Sequence, residues 1–191
     1  DKVELSNKGL LTTVAWKIDD KVTYALEGSV FVGGAAVQWL RDELKLFKEA
    51  KDTENAAFLA NQNDNVYFVP AFVGLGTPYW DDKARGAIFG LTREVSNLEI
   101  TRATLEAIAY QSRDVFDVMI AESRQDLKVL SVDGGASVNH YLMQFQADIL
   151  NTSIRVPKIY ETTSLGVCYL AGLYTGFFPS IKAITRIHEY N

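Results

Sequence analysis

The chain has 191 residues, 48% of them hydrophobic and 23% charged, with a net charge of −5. That length predicts one domain, and that balance predicts a folded core rather than a disordered tail. No run of Lys and Arg forms a basic patch, so nucleic acid and anionic membrane surfaces are not expected as partners. A phosphate ligand stays open, because backbone N–H groups bind phosphate without a cation. Cys168 is the only cysteine, which rules out an internal disulfide and predicts a reducing, cytoplasmic setting. The longest apolar stretch, Val167 to Phe178, falls short of the ~20 residues of a membrane span, and the polar start DKVELSNKG has no signal-peptide character.

Val14, Trp16 and Ile18 alternate with Thr13, Ala15 and Lys17. Val22, Tyr24 and Leu26 alternate with Thr23, Ala25 and Glu27, and Asp19-Asp20 separates the two runs. Period-two patterns about a short polar turn predict a β-hairpin. Gly33-Gly34 then opens a helix with Val37, Leu40, Leu44 and Phe47 on one face. A short helix is expected from Asp52 to Leu59. An edge or irregular strand is expected from Val66 to Phe72, because Pro70 lacks an N–H. A loop over Gly74 to Trp80 precedes a short strand at Ala87 to Leu91.

Ser96 and Glu99 have capping-box spacing before a long helix reaching about Glu122, with Leu105, Ile108, Val115 and Met119 at helical offsets. Its Ala103, Ala107 and Ala109 would let a neighbour pack closely. A buried strand over Val129 to Val132 ends at Asp133-Gly134-Gly135, and Asn139 is placed to cap a helix carrying Leu142, Phe145 and Ile149. A strand over Ile154 to Val156 ends at Pro157. An apolar helix follows from Ser164 to Phe177, with Gly166, Ala171 and Gly172 as close-packing positions, and the tail is polar. A hairpin followed by alternating helices and strands points to a layered α/β domain.

Three segments have the composition of ligand-contacting turns. In Val129 to Phe145 a strand, two glycines and a helix start follow one another. Glycine lets a ligand approach the backbone, the helix start supplies N–H donors and a positive dipole end, and Asn139 can serve a base or ribose. The same pattern suits a plain strand-to-helix turn. Val32 to Ala35 opens the helix that carries Gln38, with a plain helix start and a solvated glutamine as the alternative.

In Val69 to Asp82 the glycines Gly74 and Gly76 are spaced G-x-G, but Tyr79 stands where a dinucleotide fingerprint has its third glycine. No GxxxxGK[ST] occurs, so a packed turn is expected there. Asp133 could act near phosphate and magnesium or cap its turn, and the cap is expected. Asp81-Asp82 is expected to be solvated surface. His140 and His188 stand far apart with Cys168 isolated, and no metal-binding spacing occurs.

The stretch GAIFGLTREVSNLEITRATLE, Gly86 to Glu106, resembles the C-terminal signature of the FGGY carbohydrate kinases, through Gly86, Gly90, Leu91, Glu99 and the close at Ala103 to Glu106. GLLTT near Gly9, VQWLRDEL at Val37 to Leu44, PAFVGLGTPYW, DGGASVN and LMQFQADIL are similar to the branch of that family that acts on glycerol. The resemblance runs from about Gly9 to Gly176. It implies an α/β, actin-like, ribonuclease-H-like ATPase domain, the second domain of a two-domain kinase. It implies ATP with Mg2+, and glycerol as the phosphoryl acceptor. A xylulose, ribulose or gluconate kinase, or a non-catalytic nucleotide-binding or oligomer-forming module, is the alternative.

Through the GGxxxQ and DGGxxxN patterns it implies nucleotide contacts at Gly34, Gln38, Gly135 and Asn139. The family's N-terminal domain, its GDQ aspartate and its GTG turn have no counterpart here. The expectation is therefore one C-terminal nucleotide-binding domain over 1–191, truncated at both ends, with no catalytic residue, no metal ligand and no activity in isolation. A homo-oligomer is also expected, as is an unpaired edge beside the hairpin where the family's first strand would pair.

Overall fold

The computed structural model describes residues 5–62, 65–123, 128–187 and 189–190. The chain divides into two compact units, Asp1–Leu127 and Lys128–Asn191.

In the first unit, β1 (Leu11–Ile18) and β2 (Lys21–Glu27) form the expected antiparallel hairpin. Asp19 turns the chain in the left-handed region at φ 53°, which a short polar side chain tolerates. The register carries a bulge: Val14 opposes Tyr24, but Trp16 opposes Thr23. Directly opposed residues share a sheet face, so the bulge sends Val14 and Trp16 to opposite faces. The single apolar row expected from alternation is thereby split. Val14 is 56% and Trp16 51% exposed. Among the described residues, β1 pairs only with β2.

Helix α1 (Gly34–Asp42) buries Ala36, Val37 and Leu40. It ends earlier than its periodicity suggests. Lys45 turns left-handed at φ 55°, and the Leu46 N–H reaches back to the Leu40 carbonyl at 3.1 Å, so the chain folds back over the helix end. Leu44 is left exposed. α2 spans Asp52–Leu59, as expected. β3 (Tyr67–Val69) stops before Pro70 and pairs antiparallel with β4 (Ala87–Phe89).

α3 (Asn97–Ser123) is the spine of this unit. Ala103, Ala107 and Ala109 are all buried. The small side chains of Ala103 and Ala107 let Val32, Ala36, Val66 and Phe68 close on the helix, with Trp39 stacked on Phe68 at 5.9 Å. Each large aliphatic or aromatic side chain so buried contributes about 1.5–3 kcal/mol.

In the second unit, β5 (Val129–Ser131) and β6 (Ser153–Arg155) pair in parallel around the intervening α4 (His140–Leu150). This is a β-α-β unit, in which the helix carries the chain back to start the second strand. β5 is half-buried rather than the buried strand expected. Asn151, left-handed at φ 48°, closes α4. α5 (Thr162–Tyr174) and α6 (Ile181–Ile187) follow. Gly172 packs under Phe178, where a Cβ would collide with the ring. Gly166 meets nothing and Ala171 is exposed, so only one of the three expected packing positions serves that purpose. The polar tail instead contains α6, whose Ile184 is buried. Among the described residues, no helix is long and apolar enough to cross a membrane.

Candidate functional site

The approach to α1 is held from two sides. Gln111 of α3 donates its side-chain amide to the Val32 carbonyl at 3.2 Å. The Ser29 N–H donates to Thr77 Oγ1 at 3.0 Å, and the Thr77 N–H returns a bond to the Ser29 carbonyl at 2.9 Å. The apolar side of α1 is anchored by Ala36 and Leu40, both fully buried. Gly34 and Gln38 lie on the exposed side, one turn apart. No side chain caps the first turn. A Cβ at Gly33 or Gly34 would meet nothing within 4 Å, and neither has a positive φ. The fold itself therefore has no steric need for glycine at Gly34, the first residue of α1, and the space beside it lies open to a ligand. N–H groups at the positive end of the helix dipole favour an anion.

The second unit builds a comparable turn by other means. β5 ends, the Val132 N–H continues the ladder to the Arg155 carbonyl at 3.1 Å, and the Gly134 N–H bonds the Tyr160 carbonyl at 3.0 Å. Asp133 accepts a hydrogen bond from the Thr162 hydroxyl. Its carboxylate thus fastens the start of α5, a contact 29 residues along the chain rather than the expected cap of its own turn. Gly134 turns the chain at φ 77°, which glycine adopts without steric cost. Gly135–Val138 form one 3-10 turn, braced by Ser137 Oγ donating to the Gly134 carbonyl at 2.7 Å. Asn139 then caps α4 as expected, its Oδ1 accepting from the Leu142 N–H at 3.0 Å. Gly135 is exposed and a Cβ there would meet nothing within 4 Å. His188 lies outside the described residues.

The loop after Pro70 is a packed turn. Leu75 and Asp81 exchange backbone bonds of 2.8 and 3.1 Å, and the Trp80 indole N–H donates to the Gly9 carbonyl at 2.8 Å. Asp81 and Asp82 are exposed, and the Asp81 carboxylate accepts from the Lys83 and Ala84 N–H groups.

Glu99 is 4% exposed and accepts from the Ser96 hydroxyl at 2.6 Å, the Ser96 N–H at 2.8 Å and the Asn61 N–H at 3.0 Å. The Ser96 hydroxyl is the main reason its carboxyl is lowered to about 2, with the backbone N–H bonds adding to the effect. Among the described residues, no group of three His, Cys, Asp or Glu stands close enough to hold a metal. Gln111 and Thr77 escaped sequence reasoning. Nothing local marks a helix glutamine or a loop threonine whose partner lies 79 or 48 residues away.

Residues 1–174 match the model of the FGGY family of carbohydrate kinases, C-terminal domain. The chain belongs to this family. Its α/β architecture is accordingly the actin-like, ribonuclease-H-like fold of FGGY kinases. A glycerol kinase of Brevibacillus brevis is 57% identical over 186 residues, covering 97% of this chain and 37% of that protein. The crystal structure of Plasmodium falciparum glycerol kinase with ADP matches at a TM-score of 0.86 and 39% identity, over 97% of this chain and 37% of that one. Gluconate kinase from Lactobacillus acidophilus matches at a TM-score of 0.80 and 26% identity, over 100% of this chain and 38% of that one. The FGGY chain described here thus spans little more than a third of the length of the relatives it matches.

Proposed function

We propose that the chain is the ATP-binding part of a glycerol kinase, which transfers the γ-phosphate of ATP to glycerol to give glycerol 3-phosphate. The observation that carries this reading is the open space before Gly34 and before Gly135, two exposed glycines that the fold does not itself require. Identity of 57% and 39% to glycerol kinases, against 26% to a gluconate kinase, favours glycerol over the sugar-kinase alternatives.

In this reading Gly34 and Gly135 admit the nucleotide to the backbone. Gln38 offers its amide one turn into α1. Asn139, whose Oδ1 caps α4, offers its amide N–H groups to base or ribose. ATP supplies the phosphoryl group when bound, and this chain's share of the chemistry is positioning, the larger part of phosphoryl-transfer catalysis. We assign no catalytic base to it.

No cluster among the described residues suits Mg2+, so the cation would accompany the nucleotide phosphates. The reading treats 1–191 as one nucleotide-binding domain, places it in the cytoplasm, where an exposed free Cys168 is at home, and includes assembly into a homo-oligomer.

Calorimetric titration of ADP into the chain, with a parallel glycerol phosphorylation assay, tests the reading. Binding without turnover is expected, with binding weakened in Gln38→Ala. ADP affinity untouched by both Gln38→Ala and Gly34→Ala would sink the nucleotide site. Turnover by the chain alone would overturn its assignment as a purely nucleotide-positioning part.

A further inference from the structure

One side chain outside the two glycine turns ties together distant stretches of backbone. Thr77 is 4% exposed. Its hydroxyl accepts from the Ser29 N–H at 3.0 Å and donates to the Gly9 carbonyl at 3.2 Å, while its own N–H donates to the Ser29 carbonyl at 2.9 Å. Gly9 precedes β1 and Ser29 follows β2, so a single hydroxyl joins both ends of the hairpin.

Its neighbours tighten the same knot. Trp80 also donates to the Gly9 carbonyl, and its ring meets Phe31 edge-on at 6.0 Å. Gly76 passes so close to the Ser29 carbonyl that any Cβ would overlap it. Ser29 lies only a few residues before Gly33-Gly34, and Gln111 holds Val32 between them. The segment leading into α1 is therefore pinned at Ser29 by the loop and at Val32 by α3.

We propose that Thr77 is a positioning residue for nucleotide binding. By fixing the Ser29 to Val32 backbone it sets where the Gly33-Gly34 turn stands, and with it the N–H groups and Gln38. The inference rests on the nucleotide role proposed above for Gly34 and Gln38. A binding turn held by a loop must be placed to within about 0.5 Å to make its bonds, and a lost anchor shows first as lost affinity. Thr77→Val keeps the side-chain shape but removes the hydroxyl that the Ser29 N–H needs.

The test is ADP titration, with a melting temperature for each protein, of wild type, Thr77→Val, Thr77→Ser, Trp80→Phe, Thr101→Val, Gln38→Ala and Gly34→Ala. Thr101 is the control: it is as buried as Thr77, at 1% exposed, and bonds the Asn97 carbonyl at 2.7 Å within α3. Thr77→Val should weaken ADP binding about three- to tenfold. Thr77→Ser should restore it to within about twofold, and Thr101→Val should lose stability while keeping affinity within about twofold.

Trp80→Phe removes the second bond to Gly9 and should fall in between. It is the variant to read if Thr77→Val does not fold. Wild-type affinity in Thr77→Val, or in Trp80→Phe where that is the one read, overturns the proposal. So does an equal loss in Thr101→Val, which would make the effect one of stability alone. If Gln38→Ala weakens binding and Thr77→Val does not, only the positioning role falls. If Gln38→Ala and Gly34→Ala both bind like wild type, the nucleotide site falls and this inference with it.

Discussion

Two helices of the first unit begin in opposite ways. α3 starts behind Ser96, and the buried carboxylate of Glu99 gathers bonds from Ser96 and Asn61. α1 starts at Gly33-Gly34, with no side-chain cap and no protein atom within 4 Å of where either Cβ would stand. A helix start leaves up to four N–H groups without a helical partner. The protein closes one start with its own side chains and leaves the other accessible. Membership of a family signature does not tell the two apart. Glu99 lies inside the FGGY signature, yet the bonds it makes are those of a stabilising cap.

The largest effect that would break this contrast is at Glu99. Glu99→Ala should lower unfolding stability by about 2–4 kcal/mol in a denaturant titration, since it leaves buried N–H groups without an acceptor. It should act on ADP binding only through folding. The carboxyl sits near 2 in the fold against 4.5 for the free group. A depressed value means that its contribution is fully present above about pH 4.5 and is lost as pH falls from there toward 2. Stability followed across that window should drop in wild type and drop less in Glu99→Gln.

Next comes Gly34→Ala. No atom of the protein lies where its Cβ would go, and alanine favours a helix over glycine by up to about 1 kcal/mol. The variant should melt no lower than wild type yet lose at least about tenfold in ADP affinity, or about 1.4 kcal/mol. A variant that melts much lower would show that this turn, like the α3 start, serves the fold.

Asn139 lies between the two cases, because its Oδ1 caps α4. Asn139→Ala should cost about 1 kcal/mol of stability from the lost cap as well as ADP affinity. Asn139→Ser keeps a capping oxygen and should lose affinity alone. If the serine variant binds ADP normally, Asn139 is a cap and nothing more.

The smallest effect is expected at Tyr79, which is 57% exposed and donates to Asp114 at 2.9 Å. Tyr79→Phe should change stability by under about 0.5 kcal/mol and leave ADP binding unchanged, although it sits two residues from Thr77.

Much of the candidate site was legible because its signals are local. Gly-Gly before a helix, Asn139 at an N-cap position and Ser96 three residues before Glu99 each act within one helical turn, and all three features formed. The hairpin and the bounds of α2 follow from the same short-range physics. What could not be read were partners reached across the chain. Val14 and Trp16 look equivalent in an alternating run, but a bulge at Ala15 puts them on opposite faces. Leu44 fits the apolar row of α1, but the chain leaves the helix before reaching it. Gly166 and Gly172 look alike in α5, and only the second meets a ring.

Sequence alone settled the family, the α/β class and the two glycine turns, because each is written in contiguous residues whose conformational preferences act over a few positions. The tertiary structure decided which glycines answer to a neighbour and which face open space, and it showed that Thr77 and Gln111 anchor the approach to α1. Those outcomes depend on atoms brought together from 48 and 79 residues apart, and no local pattern encodes where such partners will meet.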